Sequence, residues 1–224
     1  MLDPIVKEDS EKSASYHSKP PQALLLPAPG QESTFSVEKA IARRRSTRAF
    51  LRKPITISQL SQLLWAGQGT TDLVDELRST PSAGALYPLE IYVFVGEDGV
   101  DGVAPGIYHY ETTNHSLKRI RDVDCLGELR NAAMDQEAIG MAAVCIVISA
   151  VFGRTTRKYG QRGIQYVHQE AGASAQNVYL QATALGLGTV AMGAFTQEDV
   201  DDIIGLGRDE TPLCILPIGI PVPE

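Results

Sequence analysis

Residues 142–151 read AAVCIVISAV, a run with no charge and many β-branched side chains. Branching at Cβ stiffens χ1 and favours an extended chain, and the lack of polar alternation leaves no face for water. The run is predicted as a strand buried on both faces. Such a strand needs packed layers above and below it. The widest apolar stretch, Met141 to Phe152, is too short to cross a bilayer.

Other elements announce themselves by caps and periodicity. Ser36 is a plausible N-cap for a helix through Val37, Ala40 and Ile41 that ends near Arg43-Arg44-Arg45. Thr56 and Gln59 form a capping-box pattern before Leu60, Leu63 and Leu64, with Gly67 as the expected end. A strand is expected over Glu90–Val95, and GIYHY and SLKRI around ETTNH read as a hairpin. Short helices are expected over Leu126–Met134 and from the cap Thr196 to Gly205. Thr189–Phe195 reads as a strand or extended turn, Leu213–Ile218 as a closing strand, and PSAGALYP (residues 81–88) as a loop. The longest predicted helix is Tyr166–Leu187. Its small residues Ala171, Gly172, Ala173, Ser174 and Ala175 suit a central packing or dimer helix. Helices and strands mix without βαβ alternation, so the class is α+β. Residues 1–33 read as an arm ahead of a domain over 34–224. Leu24, Leu25 and Leu26 either tuck onto a partner surface or belong to a disordered tail.

Charge and composition exclude several functions. Lys and Arg total 20 against 27 Asp and Glu, a net charge of −7. A chain so acidic has no general attraction to nucleic acid or to an anionic membrane. Cys125, Cys145 and Cys214 have neither a disulfide pattern nor zinc spacing, and no His pair stands as HxxxH or HExxH. The opening MLDPIVKEDSEK is acidic where a signal peptide is basic, so a soluble cytoplasmic protein without a metal is expected.

Against this background Arg43-Arg44-Arg45-Ser46-Thr47-Arg48 stands out, with four guanidiniums and two hydroxyls in six residues. Guanidinium suits bidentate phosphate recognition and hydroxyls add donors. The same run also fits a solvated helix end with ordinary surface ion pairs. GxGxxG and Walker A patterns are both absent.

The order RRRSTRAF, PSAGALYPLE, GIYHY, KYGQRG, QEAG..AQN, ALGLG and LPIGIP resembles the FMN-dependent nitroreductase superfamily over roughly residues 38–221. Within it the pattern is similar to the SagB-type dehydrogenases, which oxidise thiazolines and oxazolines in peptides to azoles. The resemblance implies a nitroreductase-like fold, with a central mixed or antiparallel sheet flanked by helices, in an entwined homodimer. FMN would lie at the subunit interface. Arg44, Arg45, Ser46 and Arg48 would meet the FMN phosphate, ribityl chain and pyrimidine edge. Pro81, Ser82, Ala83 and Gly84 would reach the flavin of the other subunit. Met192, Gly193 and Ala194 would stand at flavin N5, where backbone N–H groups tune hydride acceptance. Lys158 and Tyr159 would serve the proton side of dehydrogenation.

A lysine base must shed its proton, so Lys158 is expected to be buried or crowded by Arg154, Arg157 and Arg162. Two departures from the family pattern stand out. Ala173 occupies the place of a common His, and no cation follows near Pro221, so Arg78 is a candidate second phosphate ligand. Tyr87, Tyr108, Tyr110 and Trp65 belong either to the flavin's open face or to core and interface. The implied reaction is azoline oxidation with oxygen as acceptor. An NAD(P)H-dependent nitro or quinone reductase and a non-catalytic flavin-binding scaffold for a peptide-modifying complex are the alternatives.

Overall fold

The computed structural model describes residues 23–223, and the charge-free run is its central strand, β6 (Val144–Val151). On one side β6 pairs with β3 (Leu89–Val95), followed by β4 (Gly106–Glu111), β5 (Ser116–Arg121) and the short β1 (Leu24–Leu25). On the other side lies β8 (Glu210–Pro221), which also carries β2 (Phe50–Leu51) and β7 (Gly188–Thr189). Every strand pair is antiparallel, and parallel contacts are confined to bridges such as Ser46 with Thr189.

Alternation along the strands builds a core on each face of the sheet. Ile91, Val93, Ile146 and Ile148 face α2 (Ile57–Gln68) and α6 (Arg162–Ala184), meeting Leu60, Leu63, Leu64, Val167, Ala171 and Val178. Tyr92, Phe94, Cys145 and Val147 face α3 (Leu126–Ala132), α4 (Glu137–Met141) and α7 (Gln197–Ile204) through Leu129, Ile139 and Val200. The α+β class and the helix-flanked antiparallel sheet are as the sequence led us to expect. Of the small residues of α6, Ala171, Ser174 and Ala175 are buried inside the chain, whereas Gly172 is exposed. A Cβ on Gly67 of α2 would stand 3.3 Å from Val178 Cγ2 and 3.5 Å from Ser174 Oγ.

Four boundaries differ from expectation. Residues 24–26 do not form an arm: Leu24 and Leu25 pair with Leu117 and Ser116, and Leu26 is buried in the chain's own core. Residues 1–22, the rest of the expected arm, lie outside the described residues. Lys158 and Tyr159, in a stretch where the sequence announces no helix, form the last turn of α5 (Phe152–Tyr159). It turns at Gly160 (φ +55°) into α6, which begins at Arg162, because Gly163 lets the Thr156 backbone approach to 3.0 Å of where a Cβ would be. Of Thr189–Phe195 only Thr189 is strand. Met192 exchanges backbone hydrogen bonds with Ile215 at 2.8 and 2.9 Å, and then the chain leaves the sheet. Helix α2 runs through Gly67 and ends at Gln68, with Gly69 as its C-cap. Among the described residues no helix is long and apolar enough to cross a membrane.

Candidate active site

The basic segment begins where α1 (Val37–Arg43) stops. Ser36 Oγ accepts from Lys39 N–H at 3.2 Å, and Arg44 leaves the helix in an extended conformation. Arg45 donates to the carbonyls of Ala42 (3.1 Å) and Arg44 (2.8 Å), which occupies orphan acceptors at the helix end. Thr47 N–H then donates to Thr189 O at 2.9 Å, docking the segment beside β7. Arg45, Ser46 and Arg48 are exposed and line a cleft of about 690 Å³ with Gly186 and Pro221. None of Arg44, Arg45 and Arg48 has a carboxylate partner among the described residues. Guanidiniums without a carboxylate partner at a cleft of this size, those of Arg45 and Arg48, suit a small anionic ligand.

Tyr179 of α6, missed in the sequence, joins this segment to the one after β7. Its ring lies under the Arg44 guanidinium at 5.1 Å. Its Oη is 3.2 Å from Ser46 Oγ and accepts from Ala191 N–H at 2.7 Å. Next along, Met192 is buried and held by Ile215, whereas Gly193 and Ala194 are exposed. The N–H groups of Gly193 and Ala194 have no acceptor among the described residues, so they remain available to a ligand. Tyr179→Phe should cost about 1 kcal/mol per lost hydrogen bond and lower Tm by a few degrees. Thermal unfolding and an FMN titration check this. An unchanged Tm and unchanged affinity would remove Tyr179 as the link.

A second group forms around the loop at residues 81–88. Ala83–Ala85 make a single 3₁₀ turn with Gly84 at φ +65°. A Cβ on Gly84 would stand 2.7 Å from Tyr159 Oη and 2.9 Å from Lys158 Nζ, so both side chains end on this glycine. Ala85 (φ +51°) and Tyr87 (φ +43°) are also left-handed. Such residues cost about 1–3 kcal/mol each and persist only where their surroundings over-determine them. Those surroundings are specific. Ser82 Oγ accepts from Tyr87 N–H at 2.9 Å, Arg154 donates to Tyr87 O at 3.0 Å, and Arg78 stacks on the Tyr87 ring at 4.6 Å. Arg154 also meets Glu90 Oε1 at 2.6 Å, and Glu90 Oε2 lies 2.8 Å from His109 Nε2. Burial works to raise the Glu90 carboxyl, but the His109 hydrogen bond and the Arg154 charge outweigh it and hold it low.

The root of the loop is tied to the polar stripe of α6. Thr80 Oγ1 donates to Gly67 O at 2.6 Å, and Ser174 Oγ to the same carbonyl at 2.9 Å. Asn177 Nδ2 reaches Ser79 O (3.3 Å) and Thr80 Oγ1 (3.2 Å). The i, i+4, i+7 spacing of Glu170, Ser174 and Asn177 in an otherwise small-sided helix was the available signal.

Some expectations change here. Lys158 is exposed, so this chain alone does not supply the burial expected of it. Arg154 is engaged by Glu90, and Arg162 lies over the Tyr166 ring, so neither is simply free to crowd Lys158. Arg78 is no free phosphate ligand, because it bonds Gln68 Oε1 at 3.2 Å and covers Tyr87. Tyr108 and Tyr110 are core residues. No hydrogen bond or ion pair joins the Arg44–Arg48 group to the Pro81–Gly84 group among the described residues. They sit at separate turns of α6, marked by Tyr179 and Glu170 and about 14 Å apart along its axis.

Comparison with known proteins agrees with this architecture. The Nitroreductase family profile matches residues 41–220. MJ1384 of Methanocaldococcus jannaschii, named as a nitroreductase, is 45% identical over 83% of this chain and 91% of its own. The microcin B17-processing protein McbC of Escherichia coli is 25% identical over 73% of this chain and 62% of its own. A crystal structure of a protein from Ralstonia eutropha, named as a nitroreductase, superposes with a TM-score of 0.79 at 28% identity, covering 90% of each chain. With the profile spanning most of its length and a 45% identical relative beside it, the chain belongs to the nitroreductase family of oxidoreductases.

Proposed function

We propose that this chain is an FMN-dependent, SagB-type dehydrogenase, working as a cytoplasmic homodimer on a small-molecule or peptide heterocycle. The observation that carries the reading is the convergence of Lys158 Nζ and Tyr159 Oη on Gly84. Such a pair suits a reaction that removes a proton together with a hydride.

FMN, when bound, supplies a hydride acceptor at N5. Arg44, Arg45, Ser46 and Arg48 would hold its phosphate and pyrimidine edge, which three guanidiniums without a carboxylate partner among the described residues fit, with Arg45 turning from the Ala42 and Arg44 carbonyls to the ligand. The open N–H groups of Gly193 and Ala194 would face N5, with buried Met192 fixing the backbone that presents them. Pro81, Ser82, Ala83 and Gly84 would come from the partner subunit, which fits the separation of the two groups within one chain. Azoline oxidation removes a hydride from one carbon and a proton from its neighbour. Tyr159 Oη and Lys158 Nζ, which meet at Gly84, would take that proton. Substrate or partner must cover Lys158 for its amine to act as the base.

The second reading is an NAD(P)H-dependent nitro or quinone reductase, favoured by the 45% identity to MJ1384. A visible absorption spectrum of the purified protein, repeated without oxygen, separates the two. The expected result is a flavin spectrum that resists NADH and NADPH and bleaches on adding a thiazoline or oxazoline peptide. Rapid bleaching by nicotinamide with no response to azolines would establish the reductase instead. A colourless protein that takes up no FMN would overturn both.

A further inference from the structure

The loop at residues 81–88 and helix α5 leave the same end of two paired strands. Leu89 of β3 pairs with Ala150 of β6, and Val151 N–H donates to Pro88 O at 2.8 Å. Beyond that bond the two chains part, and Arg154 ties them together again. Its Nη1 donates to Tyr87 O at 3.0 Å, and its Nη2 meets Glu90 Oε1 at 2.6 Å. The other carboxylate oxygen, Glu90 Oε2, lies 2.8 Å from Nε2 of His109 on β4. Burial works against the charge of Glu90, but His109 and Arg154 hold it as a carboxylate. A carboxylate only accepts, so His109 Nε2 carries the proton. Both oxygens are then engaged, and the guanidinium is fixed between the sheet and the loop.

The carbonyl that Arg154 holds belongs to a residue with reason to move. Tyr87 is left-handed at φ +43° and precedes Pro88. A bulky side chain and a following proline both favour extended backbone instead. Ser82 Oγ accepts the Tyr87 N–H at 2.9 Å, Arg78 covers the ring at 4.6 Å, and Arg154 secures the carbonyl. Arg154 and Lys158 are four residues apart and share one face of α5. The helix thus meets the loop twice: at Tyr87 O through Arg154, and at Gly84. A Cβ on Gly84 would stand 2.9 Å from Lys158 Nζ and 2.7 Å from Tyr159 Oη.

We propose that Arg154 and Glu90 are positioning residues of the Lys158–Tyr159 site: Glu90 fixes the guanidinium, and the guanidinium sets the register of the loop against α5, so that Gly84 meets the pair. The inference rests on the reading above only in taking Lys158 and Tyr159 as the site. The guanidinium fork suits the task, because two nitrogens of one rigid plane reach two separate acceptors. A lysine presents a single point and cannot span Glu90 and Tyr87 O in this way.

NMR of the full chain reads the register. In Arg154→Lys, which keeps a cation beside Glu90, amide exchange at Tyr87 and Ala85 should quicken about 10–100-fold, as for a lost charge-assisted hydrogen bond. Val151 N–H, on the sheet side of the branch, should keep its wild-type protection. Glu90→Ala, which frees the guanidinium, should give the same pattern. Tyr159→Phe should shift the Gly84 amide resonance in the wild type and leave it nearly unmoved in the Arg154→Lys background. Wild-type exchange at Tyr87 and Ala85 in either variant overturns the proposal. So does an equal Gly84 shift in both backgrounds. Equal loss of protection at Val151 also overturns it, because Arg154 would then support the whole sheet rather than the register. None of these measurements needs flavin or substrate. The expected exchange pattern in a protein that nicotinamide reduces would sink the dehydrogenase reading and leave this one standing. In a working dehydrogenase, Arg154→Lys should lower kcat about 100-fold with KM nearly unchanged. Azoline oxidation at the wild-type kcat in that variant would overturn this proposal and leave the dehydrogenase reading standing.

Discussion

Tyr159→Phe and Lys158→Ala should each slow azoline oxidation by about 10²–10⁴-fold while FMN stays bound. The phenylalanine keeps the ring that meets Tyr166 edge-on at 5.2 Å and removes only the hydroxyl beside Gly84. Lys158 is exposed and reaches the Tyr159 ring at 5.4 Å and the loop at Gly84, so truncation leaves no cavity. Neither residue touches the Arg44–Arg48 segment, so cofactor content and Tm should barely move. Single-turnover oxidation followed by flavin absorbance checks this. The three readings diverge on it. A reductase would keep its nicotinamide-driven rate in both variants. A scaffold would show no rate to lose. Loss of flavin in either variant would place the pair at the cofactor rather than at the proton.

How much of this could be read from the residues depended on whether the physics was local. Ser36 and the Thr56–Gln59 box cap helices within four residues of themselves, and both caps are present in the structure. The run 142–151 announced its own burial because nothing in it could face water. Strands β1 and β2 could not be seen this way. Two residues carry no periodicity, and Phe50 pairs with Pro221 at the far end of the chain. Helix α5 was also hidden, because FGRTTRKY carries three cations and two threonines and has no capping side chain before it, and its place depends on Gly163 admitting the Thr156 backbone.

The candidate site shows the same division. The density of guanidiniums at 43–48 was legible as chemistry, and family resemblance supplied the loop and the Lys-Tyr pair. Tyr179 was not legible, because an aromatic in a helix reads first as core. Only the fold reveals that its hydroxyl faces Ser46 and Ala191. Glu90 stood in the quoted motif, yet its pairing with Arg154 and His109 is a tertiary property.

Phe50→Ala should cost about 3–5 kcal/mol and lower Tm by about 6–20 °C. Phe50 is 1% exposed and packs in one cluster with Val190, Met192 and Ile215. Its Cβ and Cγ lie 3.0 Å from where a Cβ on Gly219 would stand, so the glycine exists to receive the ring. Beside it, Val222 N–H donates to Ala49 O at 3.1 Å, clamping the residue that follows Arg48 to the end of the sheet. The ring therefore fixes both halves of the candidate cofactor site: Arg48 through the adjacent backbone, and Gly193 and Ala194 through Met192. FMN affinity should fall together with stability, and Phe50→Leu should recover most of both. Thermal unfolding with and without FMN measures the two effects side by side. A variant that loses stability yet binds FMN as tightly as before would mean that neither Arg48 nor Met192 takes its position from this core.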